Sequence, residues 1–259
     1  MENINKTFLS VIIPAYNEAS RLPATLVDVD RYLSSQRFSY EIIVVNDGSA
    51  DNTAEIARRF SLTMRNLRLI DQKVNCGKGA AVRTGMLAAN GDTRLFMDAD
   101  NSTAISEVEK LLPYFSSGLG KYDVVFGSRA IKGAQMNPPQ VFYKRFAGKL
   151  GNFFIQLLLL KGIWDTQCGF KCFSRETAQK IFSLAKINRW GFDAEILALA
   201  KTLGYKIKEV PIYWVNNTQS HVSAVSYFQV LLEVIRIRWW LWRNTYKIKL
   251  YLNSTNCFR

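Results

Sequence analysis

The chain has 259 residues, enough for one large domain with a full apolar core, or one domain with an extension. Hydrophobic residues make up 48% and charged residues 21%, an ordinary globular balance, and no uncharged apolar run reaches the roughly 18 residues that a membrane span needs. The formal net charge of +13 points to an anionic partner: nucleic acid, an acidic membrane or a phosphorylated substrate.

Residues 8–13 are an apolar, branched run ended by Pro14, which predicts a buried parallel strand followed by the loop Ala15-Tyr16-Asn17-Glu18. A helix is expected over 22–33, with Pro23 in its first turn. Residues 40–45 form the second strand, ended by Asn46-Asp47-Gly48-Ser49, and Asp51-Asn52 cap a helix to about Phe60. A third strand covers 67–70, and Gly77-Lys78-Gly79 opens a helix over 80–89. The fourth strand, 94–97, delivers Asp98, after which Ser102 or Thr103 caps a helix to about Phe115. A fifth strand at 122–126 leads to Gly127-Ser128-Arg129. Regular alternation of strand and helix predicts an α/β fold with a mostly parallel sheet, whose ligands bind beyond the carboxyl ends of the strands.

After Arg129 the rhythm changes. Residues 135–139 read as a loop, 143–160 as a long helical stretch, and 175–184 and 192–203 as helices. A strand is expected at 206–214 and a long helix over 223–246. No repeat or low-complexity linker separates these parts. Residues 1–222 are expected to form the main domain and 223–259 a basic, tryptophan-rich helical extension. From residue 201 onward only Glu209 and Glu233 oppose the basic side chains.

Asp98-Ala99-Asp100 places two carboxylates one residue apart at a strand end. They cap the strand, or they offer hard oxygen ligands on one side to a divalent cation carrying phosphates. Asp47 is a turn residue or a hydrogen-bond acceptor on the same rim. Cys76-Gly77-Lys78-Gly79 is an anion nest or a plain helix entrance; it is neither GxGxxG nor a phosphate-binding GxxxxGK[ST] loop. Arg129, Lys144, Arg145 and Lys149 are candidates to surround a phosphate. Residues 165–171, with Asp165, Gln167 and Lys171, read as a site loop flanked by Trp164 and Phe170. His221 is the only histidine, structural or catalytic. The four cysteines, Cys76, Cys168, Cys172 and Cys257, form no CxxC pair and no zinc site, as expected of a reduced, intracellular chain. The terminal helix carries Phe228, Leu231, Leu232, Ile235, Trp239 and Trp242 at helical spacing, with Glu233, Arg236, Arg243 and Lys247 on another face. It packs in the core or lies in a membrane interface. Binding of single-stranded nucleic acid through such a basic, aromatic segment is the less favoured alternative, since the aromatics are bunched on one helix.

Ser10-Val11-Ile12-Ile13-Pro14-Ala15-Tyr16-Asn17-Glu18, Val45-Asn46-Asp47-Gly48-Ser49, Asn75-Cys76-Gly77-Lys78-Gly79 and Met97-Asp98-Ala99-Asp100 together resemble the family 2 glycosyltransferases of GT-A fold. Asp165-Thr166-Gln167-Cys168-Gly169-Phe170-Lys171, with Gly127-Ser128-Arg129 and Trp190-Gly191-Phe192-Asp193, resembles the branch of polyprenyl-phosphate hexosyltransferases that includes dolichyl-phosphate β-glucosyltransferases. The resemblance implies a metal-dependent, inverting transfer of glucose from UDP-glucose to a polyprenyl phosphate. It implies that Pro14, Ala15, Tyr16, Glu18 and Asp47 hold base and ribose, with Lys78, Asp98 and Ala99 on the nucleotide. Asp100, with Asp98 beside it, would bind Mg²⁺ or Mn²⁺; Arg129, and less directly Arg145, would grip the acceptor phosphate. Asp165, Gln167, Lys171 and His221 are implied on the acceptor side. The mannosyl relatives carry a metal-binding glutamine where this chain has Ser102; the glucosyl relatives lack it too, which favours UDP-glucose over GDP-mannose. Relatives carry Ser-Lys near the end of the domain where this chain has Ser220-His221. Without an apolar signal region before Phe8, the expected location is the cytoplasmic face of a membrane, with peripheral contact through the terminal helix and no nucleic-acid partner.

Overall fold

A computed structural model describes residues 7–116, 119–139, 142–216 and 224–248. Within helical segments, the side chains of 142–147, 149 and 224–227 are outside the description. The centre is a seven-stranded sheet in the order β3-β2-β1-β4-β7-β5-β8. Its strands are β1 (Leu9–Ala15), β2 (Tyr40–Asp47), β3 (Leu67–Gln72), β4 (Thr93–Met97), β5 (Val124–Ser128), β7 (Phe170–Ser174) and β8 (Ile207–Pro211). A second sheet pairs β6 (Gln135–Asn137) with β9 (Tyr213–Val215) in parallel.

The seven residues of β1 are all buried, because it lies between β2 and β4 with helices on both faces. Pro14 does not end the strand: Pro14 and Ala15 stay in register with Val45 and Asn46. The missing N–H is harmless there, since the pairing with β4 stops at Ile12 opposite Phe96. Alternation sorts the strand side chains into two cores. Ile12, Ile43, Val45, Phe96 and Phe126 face the side of α3 (Lys78–Ala88), α5 (Arg175–Leu184) and α6 (Phe192–Thr202). Val11, Ile13, Ile42, Val44 and Leu95 face α1 (Leu22–Ser34) and α2 (Thr53–Thr63).

The expected helix after Thr103 is two 3-10 segments, Ile105–Lys110 and Leu112–Phe115; Pro113 in the second removes a backbone donor. The expected single strand over 206–214 is split between two sheets, as β8 and β9. Residues 135–137, expected as loop, form β6. β7 runs antiparallel between β4 and β5, so the expected loop over 165–171 ends inside a central strand. The helix α4 (Phe142–Leu158) packs on α7 (Ala224–Trp242). Val234 and Ile237 of α7, with Tyr246 beyond it, belong to the core on the α3 side, so α7 completes that layer.

Candidate active site

The carboxyl ends of β1, β2 and β4 form one rim, and their loops brace one another. After β1, Asn17 takes a left-handed conformation, φ 55°. Its N–H donates to Ser49 Oγ at 3.0 Å, and its Oδ1 accepts from Ala50 N at 2.9 Å. Glu18 N donates to Thr53 Oγ1 at 2.8 Å. Expected helix capping at Asp51-Asn52 falls to Asp51 alone, whose Oδ1 accepts from Thr53 N at 3.0 Å, while Asn52 makes no side-chain cap. Pro14 and Ala15 are strand backbone behind this loop, and Tyr16 stands out from it, 46% exposed. The Glu18 carboxylate is forked by Arg21 at 2.6 and 2.5 Å.

Asp47 is buried at the end of β2 and already accepts three hydrogen bonds through its carboxylate. Its Oδ1 accepts from Cys76 N at 2.8 Å, and its Oδ2 from Gly77 N at 2.8 Å and Asn75 Nδ2 at 3.1 Å. The carboxylate therefore fixes the entrance of α3. Gly77 needs to be glycine here: φ is 101°, and a Cβ would meet Asn188 O at 2.5 Å.

That entrance aims Lys78 at the end of β4. Lys78 Nζ lies 2.5 Å from Asp98 Oδ1 and 5.7 Å from the centre of the Trp190 ring. Burial pulls the Lys78 ammonium down, but Asp98, Asp193 and Asp100 outweigh it and hold the amine well above its ordinary value. The strand end itself is pinned from α1: Thr25 Oγ1 donates to Ala99 O at 2.7 Å, and Asn101 Nδ2 donates to Asp28 Oδ2 at 2.9 Å. Asp100 Oδ1 accepts from Ser102 N at 3.0 Å, and its Oδ2 faces Arg21 across 3.8 Å. Among the described residues no group of three or more His, Cys, Asp or Glu side chains forms a metal cage. Two carboxylates at a strand end fit another kind of cation site, one in which Mg²⁺ or Mn²⁺ takes its remaining ligands from phosphate and water.

Opposite stands Arg129, just past β5. Its Nε and Nη2 donate to the two oxygens of Asp165 at 2.7 and 2.9 Å, and its backbone N–H adds a third bond to Asp165 at 2.8 Å. The guanidinium also covers Trp214 of β9 at 5.3 Å. Burial works against both charges, yet Asp165 holds the Arg129 pKa up and Arg129 holds the Asp165 carboxyl below the usual carboxylate range. Glu209 of β8 fixes the same loop, its two oxygens accepting from Trp164 N at 3.0 Å and Asp165 N at 2.9 Å. The loop then turns under the β4 end: a Cβ on Gly169 would sit 2.2 Å from Asp98 Oδ2. Gln167 Nε2 is buried here and finds no hydrogen-bond partner.

Lys171 lies outside this surface. It is fully buried in β7, in register with Phe96 and Phe126, and its ammonium sits 5.5 and 5.9 Å from their rings. It bonds Cys168 O at 2.5 Å and the carboxylate of Asp193. Its place in an antiparallel strand, rather than in the expected loop, turns it into the core. Burial of the neighbouring Cys168 thiol pushes it up to about 12. His221 lies outside the described residues, as does the Arg145 side chain. Sequence reasoning gave no role to Arg21, Trp190, Glu209 or Trp214, which contact the site from neighbouring loops and strands.

A mostly parallel α/β sheet, with β7 antiparallel inside it and paired acids at a central strand end, is an architecture of GT-A type. The sequence profile described as Glycosyl transferase family 2 matches residues 10–182, and the chain belongs to that family. It is 38% identical over 257 residues to the dolichyl-phosphate beta-glucosyltransferase of Dictyostelium discoideum, covering 95% of this chain and 78% of that one. Identity to the human dolichyl-phosphate beta-glucosyltransferase is 35% over 241 residues, covering 89% and 74%. The fold is similar to that of glucosyl-3-phosphoglycerate synthase from Mycobacterium tuberculosis in complex with phosphoglyceric acid, with TM-score 0.67 and 19% identity over 90% of this chain and 80% of that one. Its complex with Mn²⁺, UDP and glucosyl-3-phosphoglycerate gives 0.65 and 20% over 89% and 78%.

Proposed function

We propose that this glycosyltransferase moves glucose from UDP-glucose to a polyprenyl monophosphate of the dolichyl type, with inversion, giving polyprenyl-phosphate β-glucose and UDP. One observation carries the reading. Asp98 is the meeting point of two half-sites: Lys78 pairs with it from the donor side, and Gly169 of the loop that holds Arg129 closes against it from the other. A diphosphate on the first half and a phosphate on the second would meet there, the arrangement a transfer between two phosphorylated molecules needs. The names of the relatives support the acceptor and the sugar, and the neighbour that binds Mn²⁺ and UDP supports the donor.

In this reading Tyr16, with Pro14, Ala15 and Glu18 behind it, borders the base and ribose, and Asp47 serves the nucleotide by holding Gly77 and Lys78 in place. Asp100, with Asp98 beside it, would hold Mg²⁺ or Mn²⁺, whose charge offsets that of the departing diphosphate. Lys78 adds a fixed cation on the same leaving group. Arg129, locked by Asp165, keeps Nη1 and the second Nη2 hydrogen for the acceptor phosphate, and the unpartnered Gln167 amide, two residues after Asp165, is a further donor in the same loop. The acceptor oxygen attacks the anomeric carbon from the face opposite UDP, the C1–O bond breaks, and UDP leaves with the electron pair. The attacking phosphate is already an anion near neutral pH, so no strong base is required. Residues 1–222 hold this chemistry, and 223–259 carry the exposed aromatic stripe that brings the enzyme to its lipid acceptor.

Thermal denaturation with UDP, GDP and each metal tests the donor half. UDP with Mn²⁺ or Mg²⁺ should raise the midpoint by several degrees, and GDP should not. Equal stabilisation by GDP, or full stabilisation of Asp100→Ala by UDP with metal, would remove the basis for this donor site.

A further inference from the structure

Residues 185–191 join α5 to α6 and are held from three elements. From α6, Glu195 accepts from Lys186 N at 2.9 Å and Ile187 N at 2.8 Å, and Tyr246 Oη donates to the same carboxylate at 2.7 Å. From α3, Ala80 N donates to Asn188 O at 3.1 Å, and Arg83 donates to Ala185 O at 3.1 Å and to Asn188 Oδ1 at 2.8 Å. From α7, Glu233 Oε2 accepts from Gly191 N at 2.7 Å. A Cβ on Gly191 would stand 2.7 Å from both Cβ and Oε2 of Glu233, so glycine is what lets α7 come this close. Between Asn188 and Gly191 lies Trp190, whose ring centre is 5.7 Å from Lys78 Nζ.

We propose that Glu233 and Trp190 are positioning residues for Lys78: Glu233 fixes Gly191, Gly191 fixes its neighbour Trp190, and the Trp190 ring holds the Lys78 ammonium at the diphosphate. Through Glu233, α7 contributes to the donor half of the site although it touches neither substrate. The inference rests on the donor reading above, in which Lys78 lies on the diphosphate.

A side wall is needed because the partner of Lys78 is shared. Without donor, Asp98 fixes the ammonium at 2.5 Å. Once Asp98 turns to a cation carrying the diphosphate, that hold weakens, and an ammonium on a flexible four-carbon stem is free to swing into water. An aromatic face within about 6 Å keeps attracting it, and more strongly where water is excluded. The start of α6 adds to this from behind, since the carboxylate of Asp193, its second residue, also attracts Lys78. Anchoring Gly191 therefore places both the ring and the carboxylate. As an acid at the first turn of α6, Glu233 is also a helix cap, so its part in the site has to be separated from its part in the fold.

Titration calorimetry of the full chain with UDP and Mn²⁺ makes that separation. Trp190→Ala should weaken UDP about threefold to fivefold, the order of one cation–π contact. Trp190→Phe keeps a ring face and should retain most of the affinity. Glu233→Ala should weaken UDP less than Trp190→Ala does. Glu233→Asp keeps the charge but falls one methylene short of Gly191 N, and should match Glu233→Ala; Glu233→Gln keeps an acceptor oxygen and should bind like wild type. Residues that act in series do not add, so Trp190→Ala with Glu233→Ala should bind UDP no more weakly than Trp190→Ala alone. In a Lys78→Met background, itself weakened, Trp190→Ala should have no further effect, an outcome that general loosening of the fold would not give. Wild-type UDP affinity in Trp190→Ala overturns the proposal, as does an undiminished effect of Trp190→Ala in the Lys78→Met background or full additivity with Glu233→Ala. Unchanged affinity in Lys78→Met fails at an earlier point: it removes Lys78 from the diphosphate, and the positioning role falls with that donor placement.

Discussion

Lys78 Nζ and Asp98 Oδ1, 2.5 Å apart, join the first turn of α3 to the carboxyl end of β4. The pair ties a cation at a helix start to the acid pair of the strand, so neither charge is held by its own element alone. Lys78→Met should weaken UDP binding roughly tenfold or more, the order of one charge-assisted contact to phosphate, with little change in fold. Titration calorimetry with UDP and metal reads this directly, and unchanged affinity would place Lys78 off the diphosphate.

Asp47 is predicted to act on the fold first and on the nucleotide through it. Asp47→Ala leaves the N–H groups of Cys76 and Gly77 without their acceptor, that of Gly77 in a buried place. The loss should be about 2–3 kcal/mol in urea unfolding. If Asp47→Ala unfolds like wild type, the carboxylate is free for ligand and the clamp is not its role.

The Arg129–Asp165 fork predicts both a specificity and a pH effect. Arg129→Lys keeps the charge but not the two parallel bonds, and should raise the KM for the prenyl phosphate while leaving UDP affinity alone. Asn152→Ala should do the same more weakly by loosening Trp164 and Thr166. Asp165 has a folded pKa below its unfolded value of roughly 3.9. Its contribution to stability is therefore present above that value and lost as pH falls through the folded pKa. Acid unfolding of Asp165→Asn should show a shallower loss on this limb than wild type, and identical slopes would contradict the coupling.

Lys171 and Asp193 predict the opposite sign. Burial raises the Asp193 carboxyl, more than Lys171 and Lys78 lower it. A raised folded pKa gives stability that is present below the unfolded value and lost as pH rises through the folded one. Lys171→Met removes the partner and should cost about 3–5 kcal/mol near neutral pH. The deficit should shrink between neutral and mildly acidic pH, as Asp193 takes up a proton more easily. Denaturant midpoints at the two pH values decide this; a pH-independent deficit means that Asp193 is not left as an uncompensated charge.

The rim was legible because local rules write it. Branched apolar runs ending at Pro14, Asp47 and Asp98 need only strand burial and turn chemistry to be placed at one edge, and the structure puts these residues there. What was not legible depends on contacts distant in sequence. Nothing in residues 170–174 says that the strand runs backwards between β4 and β5, yet that reversal buries Lys171 and brings Gly169 under Asp98. The 3-10 segments after Ala104 replace the helix expected from a cap at Ser102 or Thr103; Pro113 was the available sign. Trp190 over Lys78, Glu209 on the 164–165 backbone and Trp214 under Arg129 join residues far apart in the chain. No periodicity reports such pairs. The apolar stripe of α7 was visible as spacing, but its junction with α4 was not, since that requires the packing of two helices.

The most direct measurement is product analysis with purified protein, radiolabelled UDP-glucose, a short polyprenyl phosphate and Mn²⁺ or Mg²⁺. The account predicts one glucosyl phospholipid formed per UDP released, with a β linkage. Asp100→Ala and Arg129→Ala should each fall by a hundredfold or more, roughly 2.7 kcal/mol of transition-state stabilisation. Transfer from GDP-mannose instead of UDP-glucose, or full activity in Asp100→Ala, would contradict it.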